Sequence, residues 1–112
     1  MLKLLKKFQP KGEELSPVSN SNESKIFAAE VSGNASSIDL HGYDTQSAIH
    51  ELDVFLHSVY AHGDDIAEII HGRGTGKLQE AVQAFLSTMS IVENYRGGSN
   101  PGVTYVVLKR RG

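Results

Sequence analysis

The stretch "IIHGRGTGKLQEAV", residues 69–82, decides how the chain is read. An apolar pair, Ile69-Ile70, runs into glycines at 72, 74 and 76, with His71, Arg73, Thr75 and Lys77 set among them. From Leu78 onward, Leu78, Ala81, Val82, Phe85, Leu86 and Met89 recur at helical spacing and make one apolar stripe. The pattern is a strand, a glycine-rich turn and a helix start. The first backbone N–H groups of a helix lack partners inside it, and glycines let a ligand approach them, so the place suits an anion. Arg73 and Lys77 add positive charge.

Two nucleotide motifs fail at this loop. The phosphate loop of ATPases needs glycine where His71 stands and Ser or Thr where Leu78 stands. The dinucleotide fingerprint G-x-G-x-x-G is broken because Gly72-Arg73-Gly74 is followed by Gly76 and Lys77. A phosphodiester needs neither motif.

Working outward, Ile38-Asp39-Leu40-His41-Gly42 alternates apolar and polar as a half-buried strand does, with glycine as the stop. Asp44 or Thr45 offers a helix cap. Ile49, Leu52, Phe55, Leu56 and Val59 form a stripe over residues 48–60, which Gly63 ends. Residues 66–70 read as an interior strand, 91–95 as a third, 96–101 as a turn and 103–109 as a fourth. The order β-α-β-α-β-β predicts an α/β two-layer sandwich: a four-stranded mixed sheet with both helices on one face and the other face open.

Composition sets the outer bounds. The 112 residues accommodate one compact domain, and 39% apolar with 21% charged residues is ordinary for a globular chain. The absence of cysteine removes disulfides, thiolate nucleophiles and cysteine-based metal sites. No run approaches the roughly 20 apolar residues of a membrane span, and Lys3, Lys6 and Lys7 interrupt the opening apolar run, so a cytoplasmic protein is expected. Residues 9–37 are rich in Ser, Asn, Glu, Pro and Gly, and predict a flexible arm over 1–37 ahead of a domain at 38–112. That domain carries six basic against nine acidic residues, which argues against coating nucleic acid by bulk charge and leaves room for a local basic patch.

Two histidines frame the loop. His41 ends the first strand and His71 the second, so parallel pairing brings both to one sheet edge, with Asp39 near enough in sequence to orient a ring. Imidazoles, with a reference pKa of about 6.5, suit acid and base work at neutral pH. Elsewhere, His50, Asp53 and His57 lie on one flank of the first helix, where a solvated side is preferred over a metal site. His50-Glu51 begins like H-E-x-x-H but lacks the second histidine, and Gly97-Gly98-Ser99-Asn100-Pro101 ends in proline where a hydrolase elbow needs glycine.

Together "IDLHG" at 38–42, "IIHGRGTGKL" at 69–78 and "GGSNPGVTYVVLK" at 97–109 resemble the Smr domain, the small MutS-related module. The resemblance covers residues 38–109. It implies a fold similar to the C-terminal domain of a bacterial translation initiation factor, with nicking of nucleic acid and, in several members, cleavage of RNA. The family's L-D-x-H-G motif falls on Asp39, His41 and Gly42, and its H-G-x-G motif on His71, Gly72, Arg73 and Gly74. Ile38 replaces the usual leucine, and Tyr43 stands where leucine is common.

The expected activity is that of an endonuclease, with RNA ahead of DNA as partner, no membrane, and the ribosome as a further candidate. Carboxylates near the site are few, which favours chemistry without a cofactor over a two-metal route. In this reading Asp39 orients His41, and His41 and His71 share the base and acid roles. Gly42, Gly72, Gly74, Gly76 and Lys77 hold the phosphate, Arg73 stabilises its charge, and Lys109, Arg110 and Arg111 position the flanking strand. The alternative is a non-catalytic RNA- or ribosome-binding module using the same loop and the open sheet face.

Overall fold

The computed structural model describes residues 21–109. Its elements are α1 (Ser21–Ser32), β1 (Ser36–Asp39), α2 (Thr45–Ala61), β2 (Ile66–Ile70), α3 (Lys77–Leu86), β3 (Val92–Gly97) and β4 (Val103–Leu108). From β1 onward this is the expected β-α-β-α-β-β order. The four strands form one mixed sheet in the order β1-β2-β4-β3, with β1 parallel to β2 and β4 antiparallel to both its neighbours.

The reason β4 sits inside is visible in its composition. All six residues of VTYVVL are buried, which only a strand covered on both faces allows. Its alternate residues feed two cores. Val106 and Leu108 join Leu52, Leu56, Ile69, Val82 and Leu86 beneath α2 and α3, whereas Val103, Tyr105 and Val107 pack with Ile26 and Ala29 of α1.

The α2 helix starts where Asp44 caps it: its carboxylate accepts from the Ser47 N–H at 3.0 Å and from the Ser47 hydroxyl at 2.8 Å. It ends at Gly63, whose φ of +86° suits glycine and whose N–H donates to the Tyr60 carbonyl. The α3 helix stops at Leu86 rather than at the end of its apolar stripe. Ser87 and Thr88 turn their hydroxyls back onto the carbonyls of Ala84 and Phe85, each at 2.7 Å, and Met89 still reaches the core from the following turn.

The main departure from expectation is α1. Residues 21–32, assigned from composition to a flexible arm, form a helix on the sheet face expected to be open. Ile26 is fully buried, and burying such a side chain contributes about 1.5–3 kcal/mol. Polar contacts supplement that small apolar area. The Glu23 carboxylate accepts from Arg96 at 2.6 Å, Lys25 pairs with Asp65 at 3.0 Å, and Glu30 accepts from the Ser99 N–H and hydroxyl at 2.7 and 2.8 Å. Composition undercounted this segment because its partners come from β3, from the start of β2 and from the turn before β4. The expected arm over residues 1–20 lies outside the described residues.

Candidate functional site

The parallel register pairs Ser36 with Ala67 and Asp39 with Ile70, and the Leu40 N–H donates onward to the Ile70 carbonyl at 2.7 Å. Extending that register sets Leu40 beside His71 and His41 beside Gly72. The pairing decides where each imidazole goes, because strand side chains alternate between faces. Leu40 is fully buried under the helices, and His71 follows it inward with 4% exposure. His41 stays outside with Asp39, its side chain 70% exposed.

Asp39 and His41 form a close pair. The His41 Nδ1–H donates to Asp39 Oδ1 at 2.5 Å, and the His41 backbone N–H donates to the same oxygen at 3.1 Å. The His41 side-chain bond, seconded by the backbone one, holds the Asp39 carboxyl below the usual aspartate value. With Nδ1 tied to the carboxylate, Nε2 is the nitrogen left to accept a proton from a ligand.

His71 is placed differently. Its Nδ1–H donates to the Gly72 carbonyl at 2.9 Å, and its Nε2 accepts from the Thr104 hydroxyl at 2.9 Å. The Gln83 side-chain amide reaches the same hydroxyl oxygen at 3.4 Å. Both ring nitrogens are therefore engaged by the protein, so the expected role of His71 as proton donor to a leaving group does not fit this geometry. The ring instead ties the glycine loop to β4 and α3.

The loop backbone is held in the same way. The Gly102 carbonyl accepts from the N–H groups of both His71 and Gly72 at 3.0 Å, so Gly72 has no N–H free for a phosphate. Gly72 answers a different need. At φ +82°, a Cβ there would lie 3.3 Å from the His41 Cβ, and glycine permits both the conformation and the close approach. Gly102 is similarly tight, because a Cβ would meet the Arg73 Cγ and the Gly72 backbone at 3.3 Å.

Beside these strand ends lies a cleft of about 400 Å³. One wall is the turn Gly42, Tyr43, Asp44 and Thr45; the other is His71 to Gln79, including Arg73, Gly74, Gly76 and Lys77. Gly76 caps α3 at φ +85° and offers no side chain to its first turn. The Lys77 N–H reaches the Thr75 hydroxyl at 3.3 Å, while those of Leu78 and Gln79 have no acceptor within the helix. Across the cleft, the negative charge of Asp44 is occupied by Ser47, whose bonds hold its carboxyl below the usual value. The net arrangement is an open cleft with two cations and a helix start on one side, and the Asp39–His41 pair packed against its Gly72 edge.

One expected residue stands elsewhere. Lys109 follows β4, whose Val107 pairs with Ile66, so it sits at the opposite edge of the sheet. At about 3.3 Å per residue that is roughly 20 Å from His71. It cannot flank the loop. Arg110 and Arg111 lie outside the described residues. On α2, the His57 Nδ1 lies 3.1 Å from the Asp53 carboxylate and 2.9 Å from its carbonyl. Among the described residues no group of three or more His, Asp or Glu is arranged to hold a metal.

Sequence reasoning missed Thr104, Gln83 and the Gly102 carbonyl. The single threonine inside the apolar run VTYVVL was the one available signal, because a buried threonine hydroxyl needs a partner.

The fold and the cleft define a class: a small α/β domain with a basic glycine loop and an aspartate–histidine pair at one edge of a mixed sheet. The family model for the Smr domain matches residues 38–109, and the chain belongs to that family. The endonuclease MutS2 of Clostridium acetobutylicum is 42% identical over 79 residues, covering 67% of this chain and 10% of that protein. The endonuclease MutS2 of Acetivibrio thermocellus is 35% identical over 96 residues, covering 82% of this chain and 12% of its own. The chain thus spans about a tenth of the length of the curated relatives it matches. A match over 82% of the chain extends upstream of Ile38, into the region that forms α1.

Among solved structures, the Smr domain of Thermus thermophilus MutS2 superposes with a TM-score of 0.66 at 30% identity, covering 67% of this chain and 99% of that one. YdaL, a stand-alone small MutS-related protein from Escherichia coli, gives the same TM-score at 21% identity, covering 78% of this chain and 76% of its own, and shares the fold. No helix among the described residues is long and apolar enough to cross a membrane.

Proposed function

We propose that the chain is a nucleic-acid endonuclease that cleaves RNA at the cleft between the Gly42–Thr45 turn and the glycine loop. The observation that carries this reading is the Asp39–His41 pair, a solvent-facing imidazole whose second nitrogen is held by a carboxylate. That is the arrangement a general base needs: a fixed tautomer, an oriented ring and an accessible Nε2. The relatives named as endonucleases add to it, and the chemistry we propose runs on this pair without a metal.

In this mechanism His41 Nε2 takes the proton of a ribose 2′-OH. The freed oxygen attacks the adjacent phosphorus, the bond to the 5′-oxygen of the next nucleotide breaks, and a 2′,3′-cyclic phosphate forms. The leaving oxygen takes its proton from water in the open cleft, and His41 returns its own to solvent. Arg73, Lys77 and the free N–H groups at the start of α3 stabilise charge on the phosphate oxygens. His71 is a positioning residue here, holding the loop through Gly72 and Thr104.

The test is end-labelled RNA incubated with the protein, with and without EDTA, beside the same sequence carrying deoxyribose at the cut. Cleavage that persists in EDTA and stops at deoxyribose is expected. EDTA-sensitive nicking of supercoiled DNA would reverse the preference for RNA, and a shifted but uncut RNA would favour the non-catalytic binding module. That alternative is weakened because the sheet face it would use is covered by α1.

A further inference from the structure

Proton transfer and phosphate binding give no task to Tyr43, the one Phe, Tyr or Trp ring among the residues lining the cleft. Neither step needs an aromatic wall. Yet Tyr43 is 48% exposed and lines the cleft across from the loop that carries Arg73 and Lys77. Four large apolar side chains stand most exposed among the described residues, and the other three, Phe27, Val31 and Val54, lie on helices away from this cleft.

The ring is mounted on a firm support. Gly42 turns the chain at φ +83°, the Tyr43 N–H donates to the Leu40 carbonyl at 3.1 Å, and the next residue, Asp44, is fixed as the cap of α2. A side chain with only two rotatable angles on such a turn loses little freedom when a planar ligand lies against it. It is also only two residues from His41.

Building on the nuclease reading above, we infer that Tyr43 is a stacking platform for a nucleobase, and that the nucleotide beside the scissile phosphate must therefore be unpaired. The two walls match the two ends of one nucleotide: cations and N–H groups for phosphate, a ring face for the base. Within a duplex both faces of a base are taken by its neighbours, and exposing one costs unstacking and unpairing. Single strands, loops and bulges present that face already. Stacking uses a surface that every base has, so the selection is for unpaired structure with little dependence on base identity. At about 400 Å³ the cleft is toward the small end of ligand sites, in keeping with one nucleotide rather than a helix.

The test is equilibrium binding of the full chain to 2′-O-methyl oligonucleotides, which cannot be cut through a 2′-OH. Three are compared: a single strand, its duplex, and the same backbone with abasic sugars. The wild-type protein is expected to prefer the single strand. Tyr43→Leu should weaken that binding roughly 5- to 100-fold, as loss of one stacked base predicts, while leaving the abasic strand unaffected. Tyr43→Phe, which keeps the ring, should restore most of the affinity. Equal binding of duplex and single strand, or a Tyr43→Leu protein that binds the single strand as the wild type does, overturns the stacking role and leaves the phosphate site standing. Failure to bind all three overturns the nuclease reading itself, and the inference with it. Thermal melting verifies that each variant is folded.

Discussion

His41 and His71 end parallel neighbouring strands, follow similar sequences and carry the same ring, yet the fold uses them in opposite ways. His41 is out in solvent with one nitrogen on Asp39, whereas His71 is buried with both nitrogens held by Gly72 and Thr104. A single step of register separates them. Because Asp39 pairs with Ile70, the imidazole of one strand falls next to a glycine of the other, and the pleat sends the two rings to different faces. Residue type and proximity to a strand end did not determine chemistry here; the parity of the pairing did.

The largest effect expected from breaking this contrast is on cleavage. His41→Ala removes the base and should lower the cleavage rate by about 100- to 10,000-fold, the usual contribution of a general base. Binding to RNA should be retained, since phosphate contacts supply most of it, and stability should move by only about 0.5 kcal/mol. Rate assays, gel shifts and melting of one protein preparation test all three.

His71→Ala should instead act first on stability. It leaves the Gly72 carbonyl and the Thr104 hydroxyl without their partner and opens a hole between β4 and α3, a loss of about 2–4 kcal/mol by denaturant unfolding. If His71→Ala were as stable as the wild type but inactive, the ring would be working on substrate and the contrast would fail.

The smallest effect sharpens the comparison at Asp39. The bonds from His41 lower the Asp39 value in the folded state, so its contribution is present above the ordinary value of 3.8 and fades only as pH falls through the lower folded one. A carboxyl-carbon NMR titration should find a midpoint below 3.8, and His41→Ala should raise it towards that value.

Much of the fold was legible from apolar spacing. The run at 66–70 and the continuous VTYVVL gave their strands, and the stripe from Ile49 to Val59 gave α2, because burial leaves a period in the sequence. The α1 helix left a weak one: Ile26 and Ala29 are its only buried apolar residues, and Glu23, Lys25 and Glu30 complete its docking through partners distant in sequence. At the site, Asp39 and His41 were legible because they are two residues apart on one strand. The lock on His71 was not, since Thr104 and Gln83 reach it only after β4 and α3 are in place. Lys109 was misjudged for a related reason: strand direction, unknown before pairing, sends it to the far edge.

The sheet order has a consequence for how the molecule comes into being. The last of the four described strands in chain order, β4, is inserted between β2 and β3, which are not neighbours in the sheet. A nascent chain that has reached Gly97 therefore holds two disconnected pieces of sheet, and neither core can close. Assembly waits for the six residues of β4, which join the glycine loop, the buried imidazole and both hydrophobic layers.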